Sequence, residues 1–312
     1  MATKFLITGG AGFLGAALAN TLARQGHVVR VIDDASTGDP SRLDPAVHFT
    51  RGDVNDVPKL WSLLQGVDCV FHLAARVSVS ESVLYPREYN ATNVGGTVAL
   101  IQAVRDAGVR RIVFASSGAV YGEQPEERVR EDAIPNPGSP YAVSKLAAEY
   151  YINTIGALWG IDTVILRIFN AYGPGQQLRA SHPPVVPAVI RQALTGGSII
   201  VHGDGKQQRD FVYVDDVVSA LIAAAGALNV NRLIINVGSG VPSSINELVA
   251  TVGRVLGKEL TPLRVTAESG GVSRLCADLS RARERLGYVP RVSLEEGIRR
   301  TIEAWRSNHN LP

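Results

Sequence analysis

Short runs of apolar residues alternate along the chain with longer segments in which apolar residues recur every three or four positions. The longer segments include Leu14–Gln25 and Asn93–Ala107. The short runs, rich in β-branched residues, lie at Phe5–Thr8, Val28–Ile32, Val47–Thr50, Cys69–Leu73, Ile112–Ala115 and Val164–Leu166. Strands that are apolar almost without interruption are typical of a parallel sheet buried on both faces. Because crossovers between parallel strands are right-handed, the alternation predicts a doubly wound α/β fold.

The alternation changes after Asn170. Prolines and glycines are concentrated at 173–187, which predicts a loop over a site, and a helix pattern follows at Val185–Leu194. Leu233–Val237 is predicted to return to the sheet, and the rest of the chain to be mostly helical with two short extended pieces. We therefore expect a Rossmann domain at 1–172, rejoined by 211–238, and a smaller, mainly helical substrate domain at 173–210 and 239–312.

Composition mainly excludes other classes of protein. Hydrophobic residues make up 46% and charged residues 19% of 312 residues, a globular balance. The net charge of +2, without a block of like charges, gives no basis for binding nucleic acid or a membrane surface. We find no signal-peptide pattern and no apolar run that could span a bilayer. These two observations predict a soluble, cytoplasmic protein. Cys69 and Cys276 have neither metal-ligand nor CxxC spacing, so we expect reduced thiols and no metal site.

A glycine-rich loop follows the first predicted strand and precedes the first predicted helix. The glycines at 10, 12 and 15 fit GxGxxG, and those at 9, 12 and 15 fit GxxGxxG. Glycine lets the backbone approach a pyrophosphate, and the N–H groups at the start of the helix bind the phosphates. This context of strand, loop and helix predicts a dinucleotide site.

Two acidic residues at the ends of the next strands refine the choice of dinucleotide. Asp33 ends the second strand, where a carboxylate accepts hydrogen bonds from both ribose hydroxyls and repels a 2′-phosphate. This position favours NAD over NADP, and a helix cap or turn is the alternative. Asp53, within Gly52-Asp53-Val54, closes the third strand and is placed to meet the adenine, or else forms a plain turn.

A tyrosine and a lysine four residues apart are candidates for proton transfer. Tyr141 and Lys145 share one face of a predicted helix, so the ammonium is expected to lower the pKa of the phenol from its usual value of about 10. Alone, such a pair is an ordinary surface pair on a helix. Ser117, however, lies where a predicted strand runs into small hydroxyl residues, at the edge where open α/β sheets bind ligands.

Together these motifs resemble the extended short-chain dehydrogenase/reductase family, in its nucleotide-sugar epimerase/dehydratase branch. The resemblance covers nearly the whole chain. It rests on the Thr8–Gly15 loop, Asp33, Gly52-Asp53, His72-Leu73-Ala74-Ala75, Asn93–Thr97, Ser117 with Val120-Tyr121-Gly122, Tyr141 and Lys145, Arg167–Asn170 and Arg209–Asp216.

The resemblance implies a role for each matching residue. Tyr141 is the acid/base, Ser117 its hydrogen-bonding partner, and Lys145 tunes the phenol and binds the nicotinamide ribose. NAD is bound by Gly9, Gly12, Phe13, Leu14, Gly15, Asp33, Asp34, Asp53, Val54, Leu73, Ala74, Ala75, Asn93, Tyr141 and Lys145. The nucleotide sugar is bound by Arg76, Ser117, Tyr141, Asn170, Arg209 and Leu275. Asn93 anchors either a loop or the cofactor, and Arg209 suits a diphosphate because guanidinium matches phosphate geometry.

Within this branch, the residues after Ser117 distinguish the reactions. Dehydratases of the branch carry an Asp-Glu pair there, and decarboxylases a glutamate before Val-Tyr-Gly, whereas this chain has Gly118 and Ala119. A single acid/base, Tyr141, suffices to oxidise C4 of a sugar and reduce it again on the other face. The resemblance therefore implies C4 epimerisation of a UDP-hexose, UDP-glucose and UDP-galactose, with bound NAD.

Two positions bear on the substrate. The branch usually has Arg-x-Gly-Asp before the last strand, where this chain has Glu268 to Gly271. Either Arg274 or Arg179 substitutes for that arginine, the loop is shifted, or the nucleotide is held differently. Leu275 aligns with a position that limits sugar size in the branch, and leucine is expected to admit the hexoses and, as a tolerance, their N-acetylated forms. The alternative is a core leucine.

Other activities and the assembly follow from the same resemblance. A nucleotide-sugar ketoreductase or dehydrogenase would use the same Tyr/Lys pair and release NAD(P)H, and a redox sensor would bind NAD without turnover. The helices Asn93–Ala107 and Tyr141–Leu158 carry apolar stripes. Their counterparts in the family pair two subunits through a four-helix bundle, so the resemblance implies a homodimer.

Overall fold

A parallel seven-stranded sheet forms the centre of the molecule. The structure, a computed structural model, describes residues 2–178, 183–266 and 274–309. The strands of the sheet are β1 (Lys4–Thr8), β2 (Val28–Asp33), β3 (His48–Arg51), β4 (Cys69–His72), β5 (Arg111–Ser117), β6 (Asp162–Ile168) and β10 (Leu233–Val237). Their order is β3-β2-β1-β4-β5-β6-β10, and every neighbouring pair is parallel. The predicted doubly wound fold is confirmed.

Eleven helices are present among the described residues, and several of them cover the two faces of the sheet. They are α1 (Phe13–Arg24), α2 (Val57–Leu64), α3 (Val79–Leu84), α4 (Pro86–Asn90), α5 (Gly96–Ala107), α6 (Pro140–Trp159), α7 (Val185–Thr195), α8 (Val214–Gly226), α9 (Ile245–Leu256), α10 (Ser280–Leu286) and α11 (Leu294–His309). On one face, Ile7 of β1 belongs to the same buried cluster as Leu18 of α1 and Leu221 of α8. On the other face, Leu6 belongs to a cluster with Leu64 of α2 and residues of α5. Successive strand residues thus enter opposite cores, which explains the continuous apolar runs.

A second, smaller sheet lies beyond the end of β6. Its strands are β7 (Asn170–Tyr172), β9 (Gln208–Tyr213), β11 (Pro242–Ser244) and β13 (Arg274–Leu275). β9 pairs with the other three, and β8 (Ile200–His202) pairs separately with β12 (Leu263–Val265). The expectation of two extended pieces after residue 238 was wrong, because β11, β12 and β13 are all present. β11 and β13 are only two or three residues long and depend on β9 for their hydrogen bonds, so their own sequences carry little strand signal.

The division into two domains remains our proposal. Leu233–Val237 pairs with β6 in the central sheet, from Leu233 opposite Val164 to Val237 opposite Ile168. The proposed crossing at 210/211 falls inside β9, whose partners all lie in the smaller sheet.

Several predicted elements differ at their ends from those observed. Strand β5 extends to Ser117, two residues past the predicted Ala115, and β6 runs from Asp162 to Ile168. The predicted helix from Asn93 starts instead as a π-helical turn, Ala91–Gly95, and continues as α5 from Gly96. In the described part of the chain, we find no helix with the length and apolar content needed to cross a bilayer.

Candidate active site

The glycine-rich loop between β1 and α1 packs so tightly that side chains are excluded. Gly9 has a φ of +68°, and a Cβ atom there would lie 2.6 Å from the backbone nitrogen of Ala74. A Cβ atom on Gly15 would overlap the carbonyl oxygen of Gly9. Gly12 is the N-cap of α1, and within the described residues no side chain caps it. The N–H groups that begin α1, from Phe13 and Leu14 onward, therefore suit the phosphates of a dinucleotide.

Asp33 lies at the carboxyl end of β2, beside this loop. Its two carboxylate oxygens accept hydrogen bonds from the backbone N–H groups of Ala11 (3.0 Å) and Ala35 (2.9 Å). The side chain is 9% exposed, and burial raises the pKa of its carboxyl above the ordinary value. Each oxygen has further lone pairs, so the carboxylate can still accept hydrogen bonds from a ribose. The adjacent Asp34 accepts a hydrogen bond from Ser36.

The Asp53-Val54 pair follows β3 and is held mainly by local contacts. Asp53 accepts hydrogen bonds from the backbone and side chain of Asn55, which forms the turn that we gave as the alternative. Val54 is buried in the apolar cluster beneath α2 and α5. Its packing against Gly96 leaves no space for a Cβ atom on that glycine.

The segment from Leu73 to Arg76 follows β4 and passes directly beside the glycine-rich loop. The Leu73 N–H donates to the carbonyl of Thr8 (3.1 Å), and the Ala74 N–H donates to the Thr8 hydroxyl (3.2 Å). Further along, the backbone N–H and carbonyl of Arg76 are both bonded to the side-chain amide of Asn93. Leu73, Ala74 and Ala75 thus line the same edge of the sheet as Gly9.

The contacts of Asn93 favour one of the two alternatives drawn from the sequence. Its oxygen accepts from the Arg76 N–H (2.8 Å), and its amide nitrogen donates to the Arg76 carbonyl (3.0 Å) and to Ser144 Oγ (2.9 Å). The residue is 2% exposed. Because both N–H groups are engaged inside the protein, the geometry favours a loop anchor.

The strand β5 and the helix α6 bring the three candidate catalytic residues together. Ser117 ends β5, and its hydroxyl accepts from the Ala119 N–H (3.2 Å). Tyr141 is the second residue of α6, whose start is fixed by the N-cap Ser139 and by Pro140. Tyr141 is buried and forms a side-chain hydrogen bond with Ser117.

The electrostatics of Tyr141 differ from the expectation. Burial raises the pKa of the phenol, and the hydrogen bond with Ser117 opposes that rise. The net lowering expected from Lys145 was wrong for the protein alone, because burial of the phenol outweighs the interactions that favour its charged form. Burial lowers the pKa of Lys145 to about 7, against the opposing charge of Glu149, and its Nζ lies 4.1 Å from the centre of the Phe114 ring.

A buried ion pair lies behind the candidate catalytic residues, and its two members were given no role from the sequence. Arg167 of β6 and Glu149 of α6 approach to 2.7 Å, and both side chains are almost completely buried. Ser116, next to Ser117, donates a hydrogen bond to Glu149. Glu149 is four residues after Lys145, on the same helix face as Tyr141, and this spacing was the signal available in the sequence.

The smaller sheet carries the candidate substrate residues on adjacent strands. Asn170 begins β7 and lies opposite Phe211 of β9. Arg209 lies on β9 opposite Leu275 of β13, is half-buried and donates to the carbonyl of Gln208 (2.7 Å). Burial lowers the pKa of Arg209, and the charge of Glu123 opposes this.

Leu275 is 7% exposed and belongs to the main apolar cluster, as expected for a core leucine. It also lies opposite Arg209, as expected for a residue that limits the size of the sugar. Arg274 is exposed at the start of β13. Glu268, Gly271 and the other proposed substitute, Arg179, lie outside the described residues.

Comparison with known proteins gives a consistent result. The profile of the NAD-dependent epimerase/dehydratase family matches residues 5–238. A UDP-glucose 4-epimerase from Mycolicibacterium smegmatis is 38% identical, over 97% of this chain and 99% of that protein.

Two solved structures extend the similarity to the fold. The UDP-glucose 4-epimerase of Thermotoga maritima with UDP-glucose has a TM-score of 0.94 and 33% identity, over 98% of this chain and 99% of the other. The UDP-glucose 4-epimerase of Thermus thermophilus with NAD has a TM-score of 0.90 and 34% identity, over 97% and 99%. The resemblance drawn from the motifs is thereby confirmed, and the chain belongs to the NAD-dependent epimerase/dehydratase family.

Proposed function

We propose that this protein interconverts UDP-glucose and UDP-galactose by inverting C4 of the sugar. The observation that carries the proposal is that Ser117, at the end of β5, and the buried Tyr141, at the start of α6, meet at the edge of the sheet that also holds the glycine-rich loop. The similarity to UDP-glucose 4-epimerases over nearly the whole chain supports the same reaction.

The chain's own residues would move one proton and hold the sugar. When bound, NAD would supply the hydride acceptor and donor for C4. Tyr141 takes the proton of the 4-hydroxyl as the sugar is oxidised and gives it back when the ketone is reduced, while Ser117 donates a hydrogen bond to the same oxygen. Lys145, as a cation, stabilises the phenolate form of Tyr141. Gly118 and Ala119 carry no acid or base, so elimination of water or carbon dioxide has no second group to assist it.

The residues of the site suit NAD. The uncapped start of α1 and the close packing at Gly9 and Gly15 form the phosphate cradle. Asp33 is placed for the ribose hydroxyls of the adenosine, with Asp34 and Asp53 nearby on the same edge. Leu73, Ala74 and Ala75 line the path toward Tyr141 and Lys145.

The sugar nucleotide would lie between this edge and the smaller sheet. Asn170 and Arg209 bind its diphosphate, and Arg76 and Leu275 complete the pocket, with Leu275 tolerating an N-acetyl group. This chain has Glu268 and Gly271 where the branch has an arginine and an aspartate. Arg274 is our candidate to replace that arginine in binding the diphosphate.

One experiment tests the reaction directly. The purified protein is incubated with UDP-glucose, UDP-galactose and their N-acetylated forms, and the C4 stereochemistry is resolved by NMR while the absorbance of reduced nicotinamide is followed. We expect interconversion without net accumulation of NADH. Net NADH production would support a dehydrogenase instead, and NAD binding without conversion of any UDP-, dTDP- or GDP-sugar would support a sensor.

We also propose a cytoplasmic homodimer. On the outer face of α6, Val143, Tyr150 and Leu158 are spaced seven and eight residues apart and are 51%, 63% and 75% exposed. Such a stripe suits pairing of α5 and α6 with the same helices of a second subunit. Both cysteines, Cys69 and Cys276, are buried free thiols, as suits a reducing compartment.

A further inference from the structure

A histidine with no exposed surface links the glycine-rich loop to helix α5. His72 is the last residue of β4, and its Nδ1 lies 2.7 Å from the hydroxyl of Thr8, directly before Gly9. Its Nε2 lies 2.8 Å from the hydroxyl of Thr97, in the first turn of α5. The imidazole therefore connects these two elements by hydrogen bonds.

The hydrogen bonds around His72 determine which nitrogen carries the proton. The Thr97 hydroxyl donates its single proton to the carbonyl of Asn93 (2.6 Å), so Thr97 Oγ1 must accept from Nε2–H of His72. Nδ1 is then the acceptor for the Thr8 hydroxyl, and Thr8 Oγ1 in turn accepts from the Ala74 N–H (3.2 Å). Each group therefore donates to the next one along a path that runs from Ala74 through Thr8, His72 and Thr97 to Asn93.

The surroundings keep His72 neutral. Burial and the nearby charge of Lys145 lower the pKa of the imidazole to about 3. The ring stacks on Phe114, with centroids 5.3 Å apart, and both of its nitrogens face threonine hydroxyls. An imidazolium would need two acceptors, so it would reverse the Thr8 hydroxyl.

From Asn93, whose backbone carbonyl accepts from Thr97, the side chain of the same residue makes the connection to helix α6. The Asn93 amide donates to Ser144 Oγ (2.9 Å), and Ser144 donates to the carbonyl of Tyr141 (2.7 Å). Thr8, His72, Thr97, Asn93 and Ser144 thus form one buried chain from the glycine-rich loop to α6, which we call the Thr8–Ser144 chain.

We propose that His72 and Thr97 are positioning residues, and that the Thr8–Ser144 chain fixes the distance between the glycine-rich loop and Tyr141. Apolar side chains can slide past one another, whereas buried hydrogen bonds are directional and costly to leave unmade. The Thr8–Ser144 chain thereby keeps the site of hydride transfer and the proton-transferring phenol at a fixed distance from each other. Small changes in that distance lower the turnover rate. The effect on turnover rests on the proposed function.

Variants of Thr97 test the chain. Thr97→Val removes the hydroxyl at nearly constant shape, and Thr97→Ser keeps it. The matched control is Thr163→Val, because Thr163 of β6 is equally buried and donates to Asn153 of α6, outside the Thr8–Ser144 chain. We expect Thr97→Val to lower kcat about tenfold with KM for UDP-glucose within about twofold, and the other two variants to keep kcat within about twofold. Full kcat in Thr97→Val, or an equal loss in Thr163→Val, would overturn the proposal.

A second measurement does not depend on catalysis. NMR of ¹⁵N-histidine protein, assigned with His72→Gln, is expected to show His72 as the Nε2–H tautomer without titration down to about pH 5. An Nδ1–H tautomer, or titration of His72 above that pH, would overturn the Thr8–Ser144 chain whether or not the protein converts a UDP-sugar. A failure to convert any UDP-sugar would by itself refute only the proposed function. Should Thr97→Val fail to fold, Ser144→Ala cuts the chain next to α6 and is expected to show the same loss of kcat, and a wild-type value there would refute the positioning role.

Discussion

At the scale of single residues, the active site depends on how burial changes two ionisable groups. Desolvation raises the pKa of Tyr141 and lowers that of Lys145, so both groups are driven toward their neutral forms in the protein alone. The hydrogen bond with Ser117 acts against this trend for the phenol, and the charge of Glu149 acts against it for the ammonium. Proton transfer near neutral pH therefore depends on partners that stabilise the charged forms.

Tyr141→Phe removes the proton-transferring hydroxyl while it keeps the ring in place. We expect kcat to fall by roughly 10³-fold, because general acid–base groups typically contribute that much, with NAD binding nearly unchanged. Steady-state kinetics with UDP-galactose and titration with NAD measure the two effects. Tyr150→Phe, on the exposed face of the same helix, is the control and keeps wild-type turnover. Turnover above a tenth of the wild-type value in Tyr141→Phe would refute the assignment.

Asp33→Ala tests the choice of dinucleotide. Loss of the carboxylate removes both the acceptor for the ribose hydroxyls and the charge that repels a 2′-phosphate. We expect the Kd for NAD to rise about tenfold and binding of NADP to become measurable by calorimetry. Asp132→Ala, which removes an exposed ion pair with Arg130, serves as the control. Unchanged selectivity in Asp33→Ala would support the turn or cap role instead.

At the scale of elements, the strands could be predicted from sequence more readily than the polar groups between them. The inner strands of the central sheet are buried on both faces, so their apolar runs are recognisable without knowing their neighbours. The edge strand β13 has two residues and exists only through its pairing with β9, so no local pattern predicts it.

The site was predictable in part for a related reason. Gly9, Asp33 and Ser117 lie at the carboxyl ends of β1, β2 and β5, and the carboxyl ends of parallel strands meet at one edge of the sheet. Glu149, Arg167 and His72 were assigned no role, because their importance comes from partners distant in sequence that become buried together. The π-helical turn at Ala91–Gly95 was likewise invisible to a pattern of helical spacing.

Helix α6 carries the next prediction, through Glu149. The cationic form of Lys145 is lost as pH rises through its pKa of about 7, and the Glu149 carboxylate acts to raise that pKa. Glu149→Gln therefore lowers the pKa further, so the alkaline limb of the kcat profile is expected to move to lower pH by about one unit. The profile is measured between about pH 5 and 9 with saturating UDP-glucose.

Stability separates this electrostatic effect from a merely structural one. Glu149→Gln leaves Arg167 buried without its partner, at a cost of about 3–5 kcal/mol in the free energy of unfolding. The double variant Glu149→Gln with Arg167→Met replaces both charges and should recover most of that stability while the alkaline limb stays displaced. Glu131→Gln, which breaks the ion pair with Arg281, is the matched control for the loss of a buried carboxylate and leaves the limb in place. A limb that returns with stability in the double variant would contradict the electrostatic role.

At the scale of the whole molecule, the apolar stripe on α6 supports the proposed pairing of two subunits through this helix. The inner face of α6 carries Tyr141 and Lys145, and the outer face carries Tyr150 and Leu158. Pairing of two subunits through this face would cover the stripe and hold the helix from the side opposite to the site.

We expect light scattering to give the mass of a dimer for the wild-type protein. Tyr150→Glu with Leu158→Glu should give a monomer with lower thermal stability, because charges in an apolar interface are costly to bury. Leu228→Glu changes an equally exposed leucine away from α6, and should remain a dimer. A monomeric wild type, or a dimer that survives both charges on α6, would contradict this arrangement.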